Sequence, residues 1–225
     1  NLAVSLRLRT LLRRAGVRVV MTRTRTAGTS VGNVVRAGIA NKATAALFLR
    51  IHADGAPTAT ARGTHTLYPA LRAGWTDDVY VASRRAAGIV QAELRRALGF
   101  PDRGLQERSD FTGFNWADVP VIMVEMGFMT NPTEDRLLAT SRYQQRAALG
   151  LCRGTLRFLG RAMSFPTRRP AHARRAHDAA GPDTGLAICG GLRDPDPAVL
   201  GGMEQVIQRS QRAIELDLAD RQHPV

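Results

Sequence analysis

Lysine is nearly absent from this chain of 225 residues. Lys42 is the only one, and arginine supplies the rest of 32 basic residues set against 19 acidic ones. The net charge is +13 and the pI about 11.4. An arginine bias beside abundant alanine is what a GC-rich coding sequence gives, so the charge does not argue for a nucleic-acid ligand; it implies attraction to polyanions in general. Aromatics are scarce too, at 5%. A binder of single strands interleaves basic residues with stacking aromatics, and here the arginines are scattered, so nucleic acid is set aside as a partner. Cysteine occurs twice, as Cys152 and Cys189, and neither belongs to a CxxC pair. That excludes a zinc-thiolate site and a disulfide framework. No apolar run is long enough to span a bilayer, and no secretory h-region opens the sequence. The chain starts inside a helical pattern at Asn1 without a methionine, so it reads as cut from something longer.

What is present is a core-forming composition, 44% hydrophobic, with strands and helices in alternation. Leu8, Leu11, Leu12 and Ala15 recur at helical spacing over 1–15, and Gly16 marks a stop. Strands are predicted at 17–21, 46–51, 64–68 and 120–125, the third weaker and suited to an edge. Helices are predicted at 33–44, 76–98 and 141–159, and 101–118 reads as mostly loop. Cys152 falls on the apolar face of the last helix. The alternation predicts an α/β fold, a mainly parallel sheet with helices on both faces. Composition changes after Gly160. Residues 161–198 read as a Pro/Arg/Gly-rich linker, and 199–225 as an irregular tail with one amphipathic helix over 199–219. The histidines of this tail, His172, His177 and His223, are not assigned as ligands.

Two strand ends are chemically odd. LFLRIHADG, 47–55, is too apolar to face water and ends on His52; PVIMVE, 120–125, ends on Glu125. Strands that share a direction deliver their carboxyl ends to one rim, where open α/β folds build their sites, so the two residues are expected as neighbours. A buried carboxylate needs a cation, a metal or water. Glu125 therefore reads either as half of an arginine ion pair or as a catalytic group. A lone His52 reads as a hydrogen-bonded strand end; beside Glu125 it reads also as a metal ligand.

The blocks NLAVSLRLRTLLRRAGVRVVMTR (1–23), RAGIANKATAALFLRIHADG (36–55), ARGTHTLYP (61–69), RGL (103–105) and VPVIMVEMGFMTNPTED (119–135) resemble, in order and spacing, the zinc-dependent N-acetylmuramoyl-L-alanine amidases of the Amidase_3 family. The resemblance covers 1–160 and implies a peptidoglycan hydrolase. It makes His52 a zinc ligand and Glu125 the general base and acid, with zinc-activated water attacking the amide between the lactyl group of N-acetylmuramic acid and L-alanine. It also implies an extracytoplasmic place of action. Arg103 and Asn115, ahead of the Glu125 strand, are candidate glycan or peptide contacts. Asn131-Pro132-Thr133-Glu134 reads as a helix start with Asn as cap and Glu reaching back, which gives Glu134 a structural role. Arg36 and Asn41 are expected to fix a helix against the His52 strand.

The match departs from the family in three ways. The family's opening strand, with its first zinc histidine, and a glutamate ligand would precede Asn1, which leaves His52 as one protein ligand of three. His65 stands where the family places no ligand. Arg50 stands two positions before His52, where the family commonly has serine. A single ligand cannot hold zinc, so this exact chain is expected to bind the metal poorly and to lack amidase activity. The alternative is a non-catalytic peptidoglycan-binding module, or a degenerate copy, on the same fold.

Overall fold

The computed structural model describes residues 1–26, 31–162 and 214–217, the last group without side chains. Twelve elements follow in chain order among the described residues: α1 (Leu2–Arg14), β1 (Val19–Met21), α2 (Asn33–Lys42), β2 (Leu47–Asp54), β3 (Thr64–Pro69), α3 (Asp77–Leu98), β4 (Asp102–Arg108), α4 (Thr112–Asn115), β5 (Val121–Phe128), α5 (Pro132–Leu138), α6 (Ser141–Phe158) and β6 (Ile214–Asp217). The strands form one sheet in the order β1-β6-β2-β5-β3-β4. β1, β6, β2 and β5 run parallel; β3 pairs antiparallel with β5, and β4 runs parallel to β3.

Alternation along the two central strands sorts side chains to two cores. Leu47, Leu49, Ile51, Ile122 and Val124 enter the larger core under α1, α3 and α6, with Leu8, Leu12, Val90, Leu94 and Leu151. Phe48, Val121 and Met123 enter a smaller core under α2 and α4, with Ala37, Ala40, Leu67 and Phe114. Both faces of β2 and β5 are covered, and that is why their sequences read as continuous apolar runs rather than alternating ones. α3 and α6 approach closely where α6 has no side chain: a Cβ on Gly154 would lie 2.8 Å from Val90 Cα, and one on Gly150 would lie 2.8 Å from Ala97 Cβ.

Three expectations are corrected. The stretch 101–118 is not mostly loop; it holds β4 and the short α4. DRGLQER has no apolar run because β4 is the outer strand, with charged residues facing solvent. For the same reason β3 is not an edge: β4 covers it, and all six β3 residues are buried. In the tail, 214–217 is strand where the spacing predicted a helix over 199–219; the rest of that helix, and the linker from 163 to 198, lie outside the described residues. Cys152 is buried in the larger core, as its helical position implied.

Candidate active site at the sheet rim

The parity that sends Phe48 to the smaller core sends Arg50 and His52 the same way, and the parity of Val121 and Met123 carries Glu125. The register makes His52 and Glu125 direct partners on adjacent parallel strands. Both are buried, at 4% and 1% exposure. The two residues named from strand ends are thus brought together at one rim. Because β3 runs against β5, its first residues reach that rim too. His65 is the cross-strand partner of Glu125 on the other side, which sets His52, Glu125 and His65 level across three strands.

A register irregularity between His52 and Asp54 ends the regular pairing of β2 and β5. Asp54 Oδ2 then lies 3.3 Å from His65 Nε2, so the carboxylate of β2 meets the imidazole of β3 from the far side of β5. The sequence reading set His65 aside as a ligand on the family's pattern and gave Asp54 no role. Their signal was weak: β3 could be read as a strand, but its direction could not, and only direction places its first residues beside Glu125. Among the described residues no group of three or more His, Cys, Asp or Glu stands close enough to hold a metal ion.

The surrounding contacts hold the two strand ends. Arg50 is buried rather than turned to solvent; its Nη2 donates to Asn33 Oδ1 at 2.9 Å and its guanidinium lies 6.0 Å from the Phe114 ring centroid. Asn131 caps α5 as expected, accepting from the backbone N–H of Thr133 and Glu134. Glu134 does not return to the cap residue. It is buried, and accepts from Phe128 N at 2.7 Å and Gly63 N at 2.8 Å, tying the end of β5 to the segment that enters β3. Both donors sit beside or on glycine: Gly127 has φ 150° and Gly63 φ 109°, backbone that L side chains rarely adopt. A Cβ on Gly63 would also fall 2.5 Å from the Pro101 carbonyl oxygen. The Tyr143 hydroxyl of α6 donates to the Met126 carbonyl, one residue past Glu125; burial pushes its pKa up.

The remaining sequence candidates fall as follows. Arg103 is on β4, not on a loop, and stacks 5.1 Å from the centroid of Phe128 at the rim end of β5. Asn115 lies in α4; its amide donates to the Ser109 carbonyl at 3.0 Å, a local tie. Asn41 does not brace β2. It bonds Trp116 O and both the side chain and backbone of Asp118, fixing α2 to the turn before β5. Arg36 is buried and donates to Val31 O. An open cleft of about 930 Å³, lined by Arg62, Arg95, Arg96, Asp102, Asn131 and Glu134 among others, does not include His52 or Glu125 in its walls.

The chain is similar to known proteins in sequence and in fold. The sequence model of Amidase_3, described as N-acetylmuramoyl-L-alanine amidase, matches residues 1–157. N-acetylmuramoyl-L-alanine amidase Rv3717 of Mycobacterium tuberculosis is 35% identical over 68% of this chain, which spans 65% of that relative's length. The uncharacterized protein YqiI of Bacillus subtilis is 32% identical over 68% of this chain and 70% of its own length. Among solved structures, the N-acetylmuramyl-L-alanine amidase Ami1 of Mycobacterium smegmatis superposes with a TM-score of 0.64 at 33% identity, covering 70% of this chain and 74% of that one. An N-acetylmuramoyl-L-alanine amidase of Clostridium difficile 630 does so with a TM-score of 0.62 at 29% identity, covering 71% and 81%. With the matched region running through β2, β5 and α6, the chain belongs to the Amidase_3 family.

Proposed function

We propose that this chain is the scaffold of a peptidoglycan hydrolase acting on the amide between the lactyl group of N-acetylmuramic acid and L-alanine. The observation that carries the reading is the direct pairing of His52 with Glu125 at the carboxyl ends of two adjacent parallel strands. In this reading Glu125 takes a proton from the water that attacks the amide carbonyl, then returns one to the amine of L-alanine as it leaves. The smaller core behind the pair excludes bulk water from that side, so the proton stays between reactants and carboxyl group. Arg103, held over Phe128 at the rim, is the proposed contact for glycan or peptide; Asn115 keeps its local structural role. The substrate lies outside the cytoplasm, which sets the proposed place of action. Among the described residues no helix is long and apolar enough to cross a membrane.

Zinc supplies the Lewis acid in the family that the sequence resembles. Of the described residues only His52 matches a ligand of that site, and no three-donor group assembles around it. The described residues therefore do not by themselves make a zinc site, and the steps above are those of Glu125 alone. That same observation favours a second reading, a module that grips peptidoglycan without cutting it. One experiment separates the two. Purified cell-wall sacculi are incubated, in the presence of zinc, with the chain lengthened upstream of Asn1 by the family's opening strand and its two further ligands, and new amino-terminal alanine is measured together with bound protein. The hydrolase reading expects release that Glu125→Gln lowers by at least about 100-fold. Binding with no release, or release undiminished in Glu125→Gln, removes Glu125 from the chemistry.

A further inference from the structure

The rim where β5 ends also receives the starts of β3 and β4. His65 is level with Glu125, and Asp102 opens β4 level with Thr64, one residue earlier on β3. The open cleft of about 930 Å³ lies at these starts, between the segments that enter β3 and β4 and the α5 helix that follows β5. Phe128 touches both regions. Its backbone N–H donates to Glu134 of the cleft wall at 2.7 Å, and Arg103 stacks on its ring. At about 3.3 Å per strand residue, Phe128 lies roughly 10 Å from Glu125, a span that about three extended peptide residues cover.

The guanidinium groups of Arg62, Arg95 and Arg96 line this cleft together with the carboxylates of Asp102 and Glu134. Both carboxylates are engaged by protein donors. Glu134 accepts from Phe128 N and Gly63 N, and Asp102 Oδ1 accepts from Gln91 Nε2 at 2.7 Å and Gly104 N at 2.9 Å. The arginines are less committed. Arg96 is turned to Glu93. Arg95 Nε lies 3.6 Å from Asp102 Oδ2, past hydrogen-bond distance. Arg62 is exposed, and among the described residues its side chain has no hydrogen-bond or ion-pair partner. The carbonyl end of α3, which would repel an anion, is covered: Arg146 donates to Ala97 O at 2.8 Å and Leu98 O at 3.0 Å. Phe100 and Leu137 add apolar wall.

We propose that this cleft is a subsite for peptide carboxylates, in which Arg62 and Arg95 hold an acidic group of the stem peptide at the third residue or later from the bond that is cut. A guanidinium presents a planar fork that matches a carboxylate, and the apolar wall suits the rest of a peptide, which a bare anion does not use. Choice of peptide then lies beside the cutting site rather than in it: the cleft favours acidic over neutral peptides. That the peptide is a stem peptide rests on the hydrolase reading above; the carboxylate chemistry does not.

The test is binding of the tripeptide alanyl-alanyl-glutamate to the full chain, followed by NMR at the side-chain Nε–H signals of Arg62 and Arg95. Saturable shifts are expected at both, and none with the uncharged alanyl-alanyl-glutamine amide. Arg62→Gln and Arg95→Gln are each expected to weaken the affinity by about 10-fold, because a hydrogen bond to a charged group is lost. Added salt is expected to weaken it as well, since the cleft is open to solvent. Both side chains are exposed, so the variants keep the fold, which their amide spectra check. Absence of saturable shifts, equal binding of the neutral tripeptide, or an affinity unchanged in either variant would overturn the proposal. So would inorganic phosphate that displaces the tripeptide at equal concentration, which would make the cleft a general anion site. None of these readouts involves Glu125 or hydrolysis. Sacculi cut by the lengthened chain with no tripeptide bound would overturn the subsite and leave the hydrolase reading standing; tripeptide bound at both arginines with sacculi uncut would support the carboxylate site and remove the hydrolase reading.

Discussion

Substituting Glu134 tests how the rim is held in place. Its two carboxylate oxygens each accept one backbone N–H, from Phe128 at 2.7 Å and Gly63 at 2.8 Å, in a buried position. Hydrogen bonds to a charged group contribute roughly 1.5–3 kcal/mol each, and a buried donor left without an acceptor costs about 1–3 kcal/mol. Glu134→Ala deletes both acceptors where water has little access, so the expected loss is about 4 kcal/mol. For a chain of this size that corresponds to a fall in Tm of roughly 10 °C. Glu134→Gln keeps one oxygen and turns an NH2 group toward the other N–H, so about half the loss is expected. The assay is chemical denaturation with amide exchange read at Gly63 and Phe128. Both amides should lose protection in the Ala variant and one of them in the Gln variant. An Ala variant within about 1 kcal/mol of the parent, or less destabilised than the Gln variant, would refute the assignment of Glu134 as the tie between β5 and the entry to β3.

Three further outcomes are expected. Gly154→Ala gains about 1 kcal/mol of helix propensity but drives a Cβ to 2.8 Å from the Val90 backbone, an overpacking cost of about 1–3 kcal/mol, so urea midpoints should fall; a rise would mean α6 moves off α3 freely. Tyr143→Phe removes the donor to the Met126 carbonyl and should cost about 1 kcal/mol, read by thermal denaturation, with no loss meaning that water takes over the bond. The Arg96 guanidinium at 2.5 Å, joined by Arg157 at 3.2 Å, holds Glu93 below its ordinary value. A depressed folded value means that this stabilisation is complete above the unfolded value near ~4.3 and fades as pH falls through the lower folded one. Glu93→Gln should therefore flatten the acid limb of a stability–pH curve, and an unchanged limb would show that Glu93, paired with Arg96 on α3 and Arg157 on α6, makes no contribution there.

Much of the fold was legible because burial on both faces writes itself as unbroken apolar sequence. LFLRI and PVIMV admit few other readings, and their shared direction was enough to bring His52 and Glu125 together. What could not be read depends on partners rather than on composition. β4 is a charged edge strand whose only signal is the neighbour it pairs with. β3 was recognisable as a strand, and His65 on it was set aside because the family places no ligand there; nothing local tells an antiparallel strand from a parallel one, and only that direction puts His65 beside Glu125. Asn131 and Glu134 have capping-box spacing, and the cap is real. The carboxylate went instead to two N–H groups that the tertiary fold brought nearer. The segment IELD fits both a helical face and a strand, and only the slot between β1 and β2 decides between them.

The contact between Asp54 and His65 has a dynamic consequence. It links the strands on either side of β5, so the tip of β5 sits under a bracket made by its neighbours. Fraying of any one of the three ends must loosen the other two, and the rim should breathe as a single cooperative unit on one timescale rather than peel strand by strand.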